Sequence, residues 1–239
     1  MYVEPPRAIV TTPMQTQPPN DVDPQHLTSS LLLWAYRHGW FPMANPLTTQ
    51  IEWFSPEPRA IIPLEAFRVP RNLAREVRKS RFDICGDTAF EAVVRACAAP
   101  RQQDDLSWID RRMIDAYHGL HMIGHAHSIE ARLSGRLVGG LYGVQIGAAF
   151  FGESMFSRPE LGGTDSSKVC LVHLVRWLRH RGFTLLDTQF RTEHLDQFGC
   201  VEIERQQYLE LLAEAIKRVV TWGCFSLKAR RDGESEPSA

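Results

Sequence analysis

The feature that most limits how this chain can fold is the stretch from Leu137 to Gln189. A glycine-rich apolar run, Leu137 to Gly152, leads into Glu153, Ser154, Met155, Phe156, Ser157 and Arg158. A helix-patterned segment follows, and then Leu185-Leu186-Asp187-Thr188-Gln189-Phe190. The apolar run holds Gln145 and several glycines and falls short of the roughly 20 residues a membrane-spanning helix needs, so it reads as buried strands. Side chains alternate faces along a strand, so Asp187 and Gln189 project together while Leu186 and Phe190 face the other way. An acid and an amide on one strand face, beside a second acid at Glu153 and framed by apolar sequence, make a candidate site.

The chain around that site is large enough for a real core. With 239 residues and 44% hydrophobic content it suits one main domain with an appendage. Lys+Arg 27 against Asp+Glu 28 leaves a net charge of -1, so any nucleic-acid partner must be met by a local patch. Five scattered cysteines without a C-x-x-C fit reduced thiols in a cytoplasmic protein better than a disulfide framework or a zinc site. Residues 1–24 are proline-rich, lack the apolar centre of a secretory leader and are expected to be disordered. The polar tail, 228–239, is expected to be flexible.

A helix opening at Thr28 and closing at Gly39, the Trp53-Phe54 pair and a short strand from Arg59 to Leu64 suggest a small N-terminal subdomain, 25–66. It is either an aromatic-stapled unit or one whose Tyr36, Phe41 and Trp53 wall a pocket. From Arg68 the sequence turns basic, and Arg71, Arg75 and Arg78 recur at helical spacing, with Lys79 and Arg81 following. Such a stripe is either a solvated face or a phosphate-binding one. Histidines 118, 121, 125 and 127 do not match H-E-x-x-H, and Gly124 divides them, so no metal site is expected. A hairpin, His127 to Leu133 and Arg136 to Val144, turns at Ser134-Gly135, and a third strand runs from Ile146 to Gly152.

The helix Ser166 to Arg181 opens with Ser166, Ser167 and Lys168, which suit a phosphate or ribose hydroxyl unless Asp165 or Ser166 merely caps it. A short helix or turn at Thr192 to Phe198, a strand at Val201 to Ile203 and a helix from Arg205 to Val219 complete the chain. The order predicts an α/β (α+β) domain over 67–227, with a mixed or largely antiparallel sheet flanked by helices.

These residues resemble a family. Ala35-Tyr36-Arg37, Trp53-Phe54-Ser55-Pro56-Glu57-Pro58-Arg59, Ser107-Trp108-Ile109, Ala116-Tyr117-His118 and Gly124 to Glu130 come in the order and spacing of leucyl/phenylalanyl-tRNA–protein transferases. So do Val138 to Val144, Phe151 to Arg158, Ser167-Lys168, and Leu186-Asp187 with Gln189. The likeness runs from about Leu31 to Leu212. Two places depart from it: Asp21-Val22-Asp23-Pro24 replaces a Gly-Gly-Asp-Leu segment, and Met43 stands where many members have tryptophan.

The resemblance implies an acetyltransferase-like (GNAT-like) fold and transfer of leucine or phenylalanine, with some methionine, from aminoacyl-tRNA to the N-terminal Arg or Lys of a protein, marking it for degradation. The expected protein is a cytoplasmic monomer without cofactor, metal or membrane partner. Asp187, Gln189 and Glu153 become the expected catalytic residues, Gln189 accepting a hydrogen bond from the attacking amine, Asp187 stabilising its charge and Glu153 holding the Gln189 amide. Leu141, Phe150, Leu171, Leu178, Leu186 and Trp108 become the aminoacyl pocket. Tyr36, Trp53, Ser157, Ser167 and Lys168 are assigned to the tRNA 3′ end, and Arg71, Arg75, Arg78, Lys79 and Arg81 to its backbone. The rivals are an acyl-CoA-dependent N-acetyltransferase, for which Arg136 to Leu141 only half matches a pyrophosphate turn, and a tRNA-binding module without activity.

Overall fold

A computed structural model describes Asp23 and residues 25–100 and 106–225. The expected disordered segment, apart from Asp23, and the expected flexible tail lie outside the described residues. The chain opens with helix α1 (Ser29–Arg37), begun by the Thr28 hydroxyl accepting from the Leu31 amide at 3.1 Å. It ends in a two-bond cap, Gly39 N–H to Tyr36 C=O and Trp40 N–H to Ala35 C=O, with Gly39 at φ +77°. A side chain there would be strained, which is why glycine holds the position.

Strands β1 (Phe41–Ala44) and β2 (Ile51–Phe54) pair as a two-stranded ribbon. Next come β3 (Arg59–Ile61), α2 (Arg71–Arg78), β4 (Asp83–Gly86), α3 (Phe90–Ala98) and α4 (Arg111–Met122). The meander is β5 (Ala126–Leu133), β6 (Arg136–Ile146) and β7 (Ala149–Ser157); the long helix is α5 (Ser166–Arg181). Then β8 (Leu185–Gln189), α6 (Glu193–Asp196), β9 (Val201–Ile203) and α7 (Arg205–Lys217) complete the chain. Ser134 and Gly135 both have positive φ, as a two-residue hairpin turn requires.

Among the described residues, seven strands form one sheet in the order β4-β5-β6-β7-β8-β3-β9. Every pairing is antiparallel except β7 with β8, whose ends are joined by α5 across one face. The mixed α/β sheet flanked by helices expected from the sequence is therefore what the chain forms. β3, read from the sequence as part of the small N-terminal unit, is instead paired on both sides within this sheet.

Alternation along the strands builds two cores. Ala149 and Phe151 of β7 point to one, with Tyr36, Tyr117 and Tyr208 from α1, α4 and α7. Phe150 and Leu186 point to the other, with Leu171 and Leu178 of α5. Among the described residues no helix is long and apolar enough to cross a membrane.

Candidate active site

β7 and β8 run side by side for three residue pairs, Ala149 with Leu185, Phe150 with Leu186 and Phe151 with Asp187, and then part. β7 continues to Ser157, so the strands open a notch floored by Phe151 and Asp187. Both strands are irregular at its mouth. On β7 the register with β6 passes from Gly143–Gly152 to Tyr142–Ser154, leaving Glu153 as an extra, bulged residue. On β8 the register with β3 skips Thr188, and Gln189 has φ +59°. Bulges re-aim side chains, and this pair turns Glu153 and Gln189 toward each other. The β7 bulge depends on Gly143, where a Cβ would lie 2.3 Å from the Phe151 carbonyl oxygen.

Glu153 is half-buried and carries three contacts. The Tyr36 hydroxyl reaches Oε1 at 2.8 Å, the Tyr117 hydroxyl reaches Oε2 at 2.8 Å, and Gln189 Nε2 donates to Oε1 at 3.4 Å. The two phenols touch each other at 2.8 Å. Burial pushes the Glu153 carboxyl up to about 7 against the pull of both phenols, and the nearby Asp187 charge adds to the rise. Burial, followed by the Glu153 charge, raises both phenols well above their ordinary range.

Asp187 is fully buried and has no lone pair to spare. Its Oδ1 accepts from Arg59 Nε at 3.0 Å and the Gln189 amide at 2.9 Å; Oδ2 accepts from Arg59 at 2.6 Å and the Tyr208 hydroxyl at 2.8 Å. Arg59, 1% exposed, also donates to Gly39 C=O and lies between the rings of Phe41 and Tyr208. With both carboxylate oxygens taken by Arg59, Tyr208 and the Gln189 amide, the expected stabilisation of the amine's charge by Asp187 would act through its field and not by contact. Its carboxylate pins the Gln189 backbone in its left-handed turn and ties β8 to β3 and α7. Phe190 is corrected: the turn at Gln189 swings it to the Glu153 side, 5.6 Å from Phe41, rather than to the side of Leu186.

Other expected site residues separate by face. Leu141, Phe150, Leu171, Leu178 and Leu186 do gather in the second core, each at most 5% exposed and closed on one another. Trp108 does not join them; it lies half-buried against the first core, and its carbonyl accepts from the Ala44 amide. Tyr36 is corrected from the tRNA end to the Glu153 cluster, because a fully buried ring offers no free face for a nucleotide. Phe41 is likewise core, while Trp53 stays half-buried on β2.

Ser157 and Ser167 are together: their hydroxyls lie 2.9 Å apart, and the Ser157 hydroxyl accepts from the Ser167 amide at 3.0 Å. α5 is therefore capped from β7 rather than by Asp165 or Ser166, and Lys168 pairs with Asp165 at 2.8 Å. Arg71, Arg75, Arg78, Lys79 and Arg81 are all exposed. Arg75, Lys79 and Arg81 form one wall of a cleft of about 440 Å³ whose opposite wall is Thr164 and Asp165, at the start of α5.

The histidines go separate ways, His121 to Ala126 C=O, His125 to Gln145 C=O and His127 to Asp87. Among the described residues no three His, Cys, Asp or Glu side chains gather as a metal would require.

Arg59, Tyr117 and Tyr208 were missed from sequence as site residues. The available signal was an arginine opening the apolar run Arg59-Ala60-Ile61-Ile62, a position that buries a charge and so demands a partner.

The comparisons with known proteins place the chain in a family. The profile of the leucyl/phenylalanyl-tRNA protein transferases matches residues 61–213, and the profile of their N-terminal domain matches 25–57. A leucyl/phenylalanyl-tRNA–protein transferase from Paramagnetospirillum magneticum is 54% identical over 191 residues, covering 80% of this chain and 90% of that protein. One from Nitrobacter winogradskyi is 48% identical over 202 residues, covering 84% and 88%. Among solved structures, a ribosomal-protein-alanine N-acetyltransferase from Brucella melitensis overlays 54% of this chain and 89% of its own at 17% identity, with a TM-score of 0.35. The chain belongs to the leucyl/phenylalanyl-tRNA protein transferase family.

Proposed function

We propose that this aminoacyltransferase moves leucine or phenylalanine from its tRNA to the N-terminal amine of a protein that begins with Arg or Lys. The observation that carries the reading is the convergence of Gln189 and Glu153 where β7 and β8 part, beside a closed apolar core. An aminoacyl ester is already activated, so a nucleophilic side chain is not required. A peptide α-amine, with a reference pKa of about 7.7–8.0, offers a usable neutral fraction near neutrality. What remains is to hold amine and ester in line, which can supply effective molarities of roughly 10⁵ M. The Gln189 amide nitrogen is given to Glu153, which leaves its carbonyl oxygen as the acceptor for the amine. The leucyl or phenylalanyl side chain enters the second core past Met155, a half-buried, flexible side chain on β7 beyond the parting. Such a pocket separates substrates by only about 1–3 kcal/mol per methylene, so some methionine transfer is expected.

The tRNA backbone runs along the cleft between α2 and the start of α5. That places phosphates against Arg75, Lys79 and Arg81 and the 3′ end near Ser157, Ser167 and Lys168. Changing Arg75, Lys79 and Arg81 together to Ala should lower the salt slope of tRNA binding by up to about one unit per lost phosphate contact. An unchanged slope would count against the stripe.

Incubation of the protein with labelled leucyl-tRNA and an Arg-starting peptide tests the whole reading. Label is expected at the peptide N-terminus, and not when that amine is blocked. Turnover of acetyl-CoA on the same peptide would favour the acetyltransferase instead, and tRNA binding without transfer would favour a binding module.

A further inference from the structure

Glu153, Tyr36 and Tyr117 meet in a triangle whose three sides are oxygen–oxygen contacts of 2.8 Å each. Each side needs one proton. The two phenols bring two, and both stay protonated because burial, then the Glu153 charge, holds them well above their ordinary range. With Glu153 ionised, one side of the triangle faces two oxygens without a hydrogen between them. With Glu153 protonated, three hydrogens serve three sides and the ring closes. The ionised cluster is therefore one proton short, and its geometry is complete only after it takes one.

The other groups around it do not fill that place. Gln189 donates from β8 at 3.4 Å, Tyr142 of β6 is a buried phenol, and Arg59 of β3 and Asp187 of β8 satisfy each other. Glu153 is the group of this cluster that stands at the notch where the amine would sit.

The geometry points to Glu153, backed by the Tyr36 and Tyr117 hydroxyls, as the proton carrier of the transfer reaction, an inference that rests on the function proposed above. The neutral amine nitrogen forms its bond to the ester carbonyl carbon and gives one proton to the Glu153 carboxylate, closing the ring. The bond from that carbon to the tRNA ribose oxygen then breaks, and the departing oxygen takes the proton back. Glu153 ends as it began, and no proton is gained or lost by the protein. Glu153 touches the reacting atoms in this scheme; Tyr36 and Tyr117 act through it and are positioning residues.

The test uses Glu153→Gln, which supplies an N–H in place of the acid O–H and so preserves the closed ring while refusing a proton. In steady-state transfer with leucyl-tRNA and an Arg-starting peptide, kcat should fall by about 10²-fold or more, and the pH limb near neutrality should vanish. The KM for the peptide should stay within about twofold, since uniform binding is not removed. Difference infrared spectroscopy of the substrate-free protein should show a carboxyl titrating near neutral pH that the variant lacks. Tyr117→Phe, which keeps the ring face and removes one hydroxyl, should shift that titration and the kinetic limb together. A loss confined to the peptide KM, an unchanged pH limb in Glu153→Gln, or a Glu153 carboxyl that ionises in the ordinary range would overturn the proposal. Absence of transfer by the wild type overturns both this and the function it rests on. Wild-type transfer with an undiminished Glu153→Gln overturns the proton role alone.

Discussion

Asp187→Ala should lower the stability of the fold by about 3–5 kcal/mol, read as the midpoint shift in urea unfolding. The cost comes from what is left behind. Arg59 is 1% exposed and would keep its charge while losing two of its hydrogen bonds, and the Tyr208 hydroxyl and the Gln189 amide would lose their acceptor. A buried charge without its partner is far more costly than a missing pair. Changing both partners to apolar residues, Arg59→Met with Asp187→Leu, should therefore cost clearly less than the sum of the two single changes. Strict additivity would mean that the two side chains do not act as one unit. Loss of transfer in Asp187→Ala is informative only at a temperature where the variant is still folded.

Stability should also fall as the pH rises through neutrality, because of Glu153. In the unfolded chain this carboxyl ionises at its ordinary value of about 4.3; in the fold it does so at about 7. Between those values the folded state holds a proton that the unfolded state has released. Stability then decreases with pH, the contribution being complete below about pH 4 and gone above the folded value. The full span is at most about 4 kcal/mol. Other carboxylates titrate over the same acid range, so the clean quantity is the difference between wild type and Glu153→Gln. The variant should gain on the wild type by up to about 3 kcal/mol as the pH goes from 5 to 8. A difference that is flat with pH would show that Glu153 is not held neutral by the fold.

The sheet and its helices were legible because each rests on a local signal. The 3.6-residue period of α5, the Ser134-Gly135 turn and the glycine stop of α1 are all written in neighbouring residues. The pairing of Asp187 with Gln189 was legible for the same reason, and so was the exposed arginine face of α2. What sequence period could not show is where a strand breaks its own rule. The bulge at Glu153 and the left-handed turn at Gln189 are set by partners across the sheet, so Phe190 was placed on the wrong face. Arg59 and Asp187 are 128 residues apart in the chain, and no local pattern announces that one fills the other's hydrogen bonds. Sequence left Tyr36 open between an aromatic staple and a pocket wall, and the resemblance put it at the tRNA 3′ end, because aromatic residues in a small unit look alike until a carboxylate is seen against one of them.

The most direct measurement on the notch between β7 and β8 is the transfer rate of Gln189→Ala with saturating leucyl-tRNA and an Arg-starting peptide, with tRNA affinity measured in parallel. If Gln189 receives the attacking amine there, transfer should fall by about a hundredfold or more while tRNA affinity is unchanged. Transfer that survives at the wild-type rate would place the chemistry elsewhere in the molecule.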